Sequence, residues 1–272
     1  MTAPDVPASV ALPTIAVAFL VPVAGVWCAG LGARSARLER PLRLGLLVMV
    51  GLAAWGAVVV LLAEARLLWG EAGDLTGIWL PLGWLLPMLG LLWLLRHTPR
   101  LREALASRAG MAWLASTMSA RTLGVVFLTL HGRDQLPTLF AYPAAIGDVL
   151  IGVTAPAAAW VLAFRTSEVH RHGSPWRAAI ITWNALGFAE MLMAVSLGTM
   201  LFPGPLQLVH EQPTTALFAR LPLVLFPTYL VCFASTVHLF LLDVLLGRRR
   251  SADQDVRLIS GQAAQHHTAP AR

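Results

Sequence analysis

Lysine is missing from the sequence, and charged residues of every kind are scarce. The 272 residues include 20 basic side chains, all of them arginine, and only 12% of the chain is charged, about half of the roughly 25% typical of soluble domains. A chain without a lysine amine cannot form a Schiff base, so covalently bound retinal and pyridoxal phosphate are both excluded as cofactors. The low charge indicates that water is not the solvent for much of the chain.

Cysteine and the short motifs of catalysis are equally sparse. The two cysteines, Cys28 and Cys232, lie inside apolar stretches and lack the spacing of a disulfide framework or a metal site, so we expect both to be packing residues. The sequence contains no metalloprotease His-Glu-x-x-His, nucleophile elbow, phosphate loop or dinucleotide fingerprint. The enzyme classes built on those motifs are excluded, and no cofactor is assigned.

Apolar runs, by contrast, are abundant. Hydrophobic residues make up 57% of the chain, and its mean hydropathy is +0.69. A helix needs about 20 mostly apolar residues to cross a bilayer. Seven stretches satisfy this condition, at residues 12–31, 44–63, 78–95, 111–130, 138–164, 178–202 and 221–246. The sequence therefore predicts an all-α, multi-pass transmembrane bundle over residues 1–250, with the lipid bilayer as its partner, followed by a disordered cytoplasmic tail at 251–272.

Arginine is distributed unevenly among the segments that connect the seven stretches. The segments after the first, third, fifth and seventh stretches hold Arg34, Arg37, Arg40, Arg43, Arg96, Arg100, Arg102, Arg108, Arg165, Arg171, Arg177 and Arg248–Arg250. The other three segments hold one arginine each, Arg66, Arg133 and Arg220. Because arginine-rich loops stay in the cytoplasm, we expect the N-terminus outside and the C-terminus inside, in the inner (plasma) membrane. The formal charge of +6 then reflects topology, and no nucleic-acid partner is expected.

Ionisable side chains inside the predicted helices are few, and those that matter are Arg121, Asp148, Glu190 and His238. A charge at the bilayer centre costs about 2.5 to 3.5 kcal/mol, so such groups usually face the interior of a bundle and find a partner there. On its own helix each shares a stripe with small residues at steps of three and four, which lets helices approach closely. We therefore predict one buried polar site among helices four to seven, with Asn184 and Trp183 beside it on the sixth.

Arg121 requires an acidic partner, because its guanidinium stays charged in any protein environment. Asp148 and Glu190 are the acids deep in the later helices, and either could pair with it. The other would then be a carboxyl whose charged form burial disfavours, as a proton relay needs. The leading hypothesis is transport or sensing of a small solute or proton. Alternatively, the ion pair serves only to fix the register of the helices.

The sequence is also compatible with two other functions. A membrane-embedded enzyme or a haem or redox protein would use facing histidines; His131 and His210, both expected on the outer side, are weak metal candidates. His97, at the expected cytoplasmic edge, is the one histidine that could approach the depth of His238, so the haem signal is weak. The remaining possibility is a scaffold subunit with no site of its own.

The outer side of the predicted bundle carries two other features. Trp69, Trp79 and Trp84 are expected to form an aromatic belt at the membrane surface. The longest outer segment, residues 203–220, contains three prolines and is predicted to be turn-rich. A short interfacial helix starting near Thr214 would fit this segment, although most loops only connect the elements on either side.

Four stretches in the second half resemble a family of bacterial seven-helix inner-membrane proteins of uncharacterised function. They are AYPAAIGDVLIGVTAP at 141–156, WNALGFAE at 183–190, PGPLQL at 203–208 and LPLVLFPTYLVCFASTVHL at 221–239. The resemblance implies a shared architecture from residue 121 to residue 239, and no activity. It marks as motif members Arg121, Asp148, Trp183, Asn184 and His238. Where the family is expected to have aspartate, this chain has Glu190, which keeps the charge.

Overall fold

The computed structural model of the chain describes residues 6–68 and 78–247. Seven helices in these two segments are long and apolar enough to cross a membrane, which confirms the predicted all-α bundle and its helix count. Numbered first to seventh, they are Ala8–Ser35, Pro41–Glu64, Trp79–His97, Arg108–His131, Thr138–Phe164, Pro175–Met200 and Phe226–Gly247. The predicted tail at 251–272, together with Arg248–Arg250 and Trp69, lies outside the described residues.

Proline marks the start of several helices. Pro41 and Pro175 begin the second and sixth helices, and a short helix after the third, Pro99–Ala106, likewise starts with proline. Proline suits this position because its fixed φ is helical and its missing N–H would have no partner there. Ser107 then caps the fourth helix, its side-chain oxygen accepting a hydrogen bond from the N–H of Gly110 at 3.1 Å. These signals separate the segment between the third and fourth helices from the spans on either side.

The interior of the bundle is formed mainly by the fourth, fifth and seventh helices, which have the largest shares of buried residues. The first three helices are mostly exposed at the periphery. The first helix approaches the start of the fourth at Gly32, where a Cβ atom would lie 3.2 Å from Gly110 Cα and would overlap the carbonyl of Ala104. Only a glycine permits this approach of backbones, as at other helix contacts in membranes.

Two spanning helices contain irregular turns. The fourth has a 3₁₀ turn, Met118–Gly124, between its α-helical halves, and the seventh begins with a π-helical turn, Phe226–Leu230. Turns of this kind inside helices are frequent at functional sites. The π turn leaves the carbonyl of Thr228 to accept a hydrogen bond from the indole N–H of Trp55 at 3.0 Å. The 3₁₀ turn carries Arg121 and so decides where its side chain points.

The interpretation of Trp84 as a membrane-surface residue is wrong. Its side chain is buried, and its indole N–H donates to Ser235 Oγ of the seventh helix at 3.0 Å. Because its indole N–H is hydrogen-bonded inside the bundle, Trp84 does not need the polar groups of the membrane surface as partners. Trp79 is 51% exposed at the start of the third helix.

The interfacial helix expected near Thr214 is also not what the structure contains. The segment instead forms a buried 3₁₀ turn, Thr215–Ala219. Thr215 Oγ1 donates to the carbonyl of Gly198 at 2.7 Å, and the Phe218 ring packs edge-on against Phe127 at 5.7 Å between centroids. An interfacial helix would show its polar face to headgroups, whereas these side chains close one end of the bundle.

Candidate functional site

Arg121 lies at the centre of a buried network drawn from four helices. Its side chain is 5% exposed. Nε donates to Asp148 Oδ1 of the fifth helix at 2.7 Å, and Nη2 donates to Glu190 Oε2 of the sixth. Nη1 donates to the carbonyl of Gly187 at 3.3 Å and to Nε2 of His238, on the seventh helix, at 3.1 Å. Four of the five N–H groups of the guanidinium are thereby used.

The partners of His238 define its tautomer. Arginine can only donate, so Nε2 of His238 accepts and carries no proton. Nδ1 then bears the hydrogen and donates to Asn184 Oδ1 at 3.0 Å. Asn184 Nδ2 in turn donates to the carbonyl of Ile180 at 2.9 Å. The ring is therefore neutral in this arrangement, and neither nitrogen is free to bind a haem iron or another metal.

Trp183 closes one side of this network. Its ring meets that of His238 edge-on, with centroids 5.2 Å apart. Its indole N–H donates to Thr154 Oγ1 of the fifth helix at 3.0 Å, so Trp183 ties the sixth helix to the fifth. The six predicted site residues thus lie together in the structure. They are called the polar cluster below: Arg121, Asp148, Trp183, Asn184, Glu190 and His238.

Three side chains of the polar cluster lie directly against glycines of neighbouring helices, where a Cβ atom would overlap them. The glycines are Gly124, Gly147 and Gly187, which face Asp148, Glu190 and His238, respectively. Two of these glycines, Gly124 and Gly187, belong to the stripes of small residues in the sequence, and Gly147 lies next to such a stripe; all three serve the same purpose. They make room for the polar side chains of the next helix, because a methyl group at each position would compete with the cluster for the same space.

The charges of the polar cluster do not balance when every acid is ionised. One guanidinium faces two carboxylates, and the neutral histidine adds nothing, so the sum is −1. The side chains of Asp148 and Glu190 are only 10% and 9% exposed, and an uncompensated charge in such a place is costly. One proton on either carboxyl would make the cluster neutral. Glu190 Oε1 is buried with no hydrogen-bond partner among the described residues, and this oxygen is free to hold it.

Two cavities meet at Asp148. The larger one, called the Arg121 cavity below, measures about 410 Å³ and lies between the first, fourth and seventh helices. Its wall is mainly apolar, and Arg121, Ser116, Thr117 and Ser119 border it together with Asp148. A smaller aromatic cavity, of about 60 Å³, also adjoins Asp148. It lies near the start of the fifth helix and the end of the sixth, and it is lined by Phe127, Phe140, Phe202, Phe218 and Phe226. Asp148 therefore borders both cavities, which also share Met191 and Phe226.

The weak metal candidates lie away from this chemistry. His131 Nδ1 bonds to the carbonyl oxygen of Leu136 at 3.0 Å, and its ring packs edge-on against Tyr142. His210 is exposed in the segment after the sixth helix. Across residues 6–68 and 78–247, no group of three or more His, Cys, Asp or Glu side chains is placed to hold a metal ion.

A second buried arginine was not anticipated. Arg177, counted in the sequence as a connecting-segment residue, is 7% exposed in the first turn of the sixth helix. It donates to the carbonyls of Leu245, near the end of the seventh helix, and Val169. A cation that meets the last carbonyls of a helix is favoured by the helix dipole, so Arg177 needs no acid. No sequence rule distinguishes it from the exposed arginines around it.

The seven apolar helices and their buried ionisable cluster define the class: the chain is a multi-pass helical membrane protein. Residues 77–246 match the model of a family described as a domain of unknown function (DUF8737), and the chain belongs to that family. The matched region includes the whole polar cluster and the third to seventh helices, and leaves out the first two. No curated protein matches the chain, and no solved structure does.

Proposed function

We propose that the polar cluster binds and releases one proton, and that this step serves the transport or sensing of a small solute in the Arg121 cavity. The observation that carries the proposal is the ratio of two buried carboxyls to one guanidinium, with Glu190 Oε1 unpaired within residues 6–68 and 78–247. A site that only fixed helix register would need one acid per arginine. The surplus acid gives the cluster a reason to hold a proton.

The contacts suggest how a proton would change the structure. A proton on Glu190 removes one of the two ion pairs of Arg121, so the guanidinium is then held mainly by Asp148. Arg121 sits on the 3₁₀ turn Met118–Gly124, a geometry with weaker hydrogen bonds than an α-helix. A shift of this turn would reshape the Arg121 cavity, because the turn forms part of its wall. Protonation and solute binding would thus be coupled through one segment.

The direct test of proton binding is infrared difference spectroscopy on the purified protein during a pH step. We expect the C=O stretching band of a protonated carboxyl to appear and disappear with pH, and to be lost in Glu190→Gln. Glu168→Gln is the matched control, because Glu168 forms an exposed pair with Arg165 outside the spanning helices. A band that persists in both Glu190→Gln and Asp148→Asn, or no band at all, would contradict the proposal.

A measurement of proton flux distinguishes a transporter from a sensor. In proteoliposomes with a pH dye inside, a transporter is expected to move protons when a solute gradient is imposed, and Glu190→Gln is expected to stop this movement. A sensor would show the infrared band with no flux in any solute gradient tried. The alternatives of a haem protein and a scaffold subunit predict neither the band nor the flux.

We further propose that the N-terminus lies outside and the C-terminus in the cytoplasm of a bacterial inner membrane. The arginine-rich segments and the resemblance of residues 121–239 support this orientation and location. A fluorescent protein fused after Arg272 is expected to fluoresce, since it folds only in the cytoplasm, and alkaline phosphatase at that point is expected to be inactive. An active phosphatase and a dark fluorescent protein at Arg272 would show that the orientation is the reverse of the one proposed. Fusions after Arg133, in an outer segment, supply the opposite control.

A further inference from the structure

An apolar cavity that the polar cluster does not use lies between the second and third helices. It measures about 290 Å³ and is partly open. The second helix packs on the first, the third packs on the start of the seventh, and the two make few contacts with each other over the described residues. Because these two consecutive helices do not pack against each other, a lateral opening between them connects the cavity with the bilayer.

The wall of the apolar cavity accepts hydrocarbon and little else. Its lining is almost wholly aliphatic and aromatic, and includes Leu52, Leu91, Leu95, Leu114, Phe233 and Phe240. The hydroxyl of Thr236 is already used, since it donates to the carbonyl of Cys232 at 2.8 Å. A polar solute would lose its hydration here without gaining a hydrogen bond, whereas an acyl chain would lose nothing.

A basic recess of about 330 Å³ adjoins the apolar cavity at the end of the third helix, and Leu95 and Phe240 border both spaces. It contains Arg96, which is exposed and has no ion pair or hydrogen bond among the described residues, and Arg102. Arg102 lies 5.8 Å from the centroid of the Phe240 ring and is paired with Asp243 at 2.6 Å. With that one acid included, the recess carries a net charge of +1.

The geometry points to a binding site for an anionic phospholipid, with its phosphate on Arg96 and Arg102 and an acyl chain in the apolar cavity beyond Leu95 and Phe240. Charge complementarity favours an anionic headgroup, as in other basic pockets between helices at the cytoplasmic surface. Arg102 keeps free N–H groups after pairing with Asp243, because a guanidinium has five. The exposed ring of Trp93, in the same recess, is a side chain typical of the headgroup level.

Native mass spectrometry of the detergent-solubilised chain, titrated with phosphatidylglycerol or phosphatidylcholine of the same acyl chains, tests the headgroup. We expect phosphatidylglycerol to be preferred. Each arginine near an anionic headgroup contributes about fivefold to affinity, so Arg96→Gln with Arg102→Gln is expected to weaken phosphatidylglycerol binding about twenty-five-fold. The matched control is Arg34→Gln with Arg171→Gln, which removes the same charge from exposed positions in two other arginine-rich segments.

Filling the cavity tests the acyl chain. Gly51 lines the apolar cavity, and a Cβ atom there would meet no atom within 4 Å. A Cβ atom at Gly90 would likewise meet no atom within 4 Å, but Gly90 does not line the cavity. Gly51→Leu is expected to weaken binding of both lipids several-fold, while Gly90→Leu leaves it unchanged. Equal loss in the two arginine pairs, no preference between the lipids, or identical binding by the two leucine variants would each overturn the assignment.

Discussion

Arg121→Ala is expected to destabilise the protein by about 3 to 5 kcal/mol, the cost of removing one partner from a buried ion pair. The loss follows from what the side chain satisfies: without it Asp148 and Glu190 lose the cation that both contact, and His238 Nε2 has no donor. The unfolding midpoint in detergent, together with the yield of monodisperse protein, measures it. The expected result is a large fall in both.

A rescue variant separates charge from packing in this experiment. If Asp148→Asn and Glu190→Gln are added to Arg121→Ala, no charge remains to be compensated, and we expect much of the lost stability to return. Arg165→Ala is the control, since it breaks an exposed ion pair with Glu168, and such pairs contribute at most about 1 kcal/mol. Equal stability of Arg121→Ala, the triple variant and the unchanged protein would show that the pairing is not what holds these helices.

Gly187→Ala is expected to have the second largest effect, a loss of about 1 to 3 kcal/mol from overpacking. The added methyl group would occupy the space of the His238 ring. The ring has no easy way to move, because Arg121 holds its Nε2 and Asn184 holds its Nδ1. The intrinsic preference of a helix for alanine over glycine, up to about 1 kcal/mol, is smaller than this clash. Thermal unfolding in detergent measures the difference.

Gly90→Ala is the matched control for Gly187→Ala. A Cβ at Gly90 meets no atom within 4 Å, so that variant is expected to be at least as stable as the unchanged protein. Adding His238→Ala to Gly187→Ala makes room for the methyl group, and the two changes together should cost less than the sum of their separate costs. If Gly187→Ala were as stable as Gly90→Ala, the ring would not be held as the contacts indicate.

The class of fold follows from the amino-acid sequence alone. Apolar runs of about 20 residues are set by the thickness of a bilayer, and a backbone in hydrocarbon must satisfy its own hydrogen bonds as a helix. Seven such runs therefore meant seven helices, which the structure contains. The inward direction of Arg121, Asp148 and Glu190 also followed from sequence alone, because the cost of facing lipid leaves a charged side chain no other choice.

Which side chains meet depends on how the helices pack, and the sequence does not show this. Helix periodicity shows the face on which a side chain lies, but the rotation and axial shift of each neighbouring helix decide what it touches. The sequence left either Asp148 or Glu190 as the partner of Arg121; the packing of the fourth, fifth and sixth helices brings both to one guanidinium. The burial of Arg177 and of Trp84 likewise depends on carbonyl and hydroxyl partners from the seventh helix, which lies far away in the chain and carries no sequence mark of those contacts.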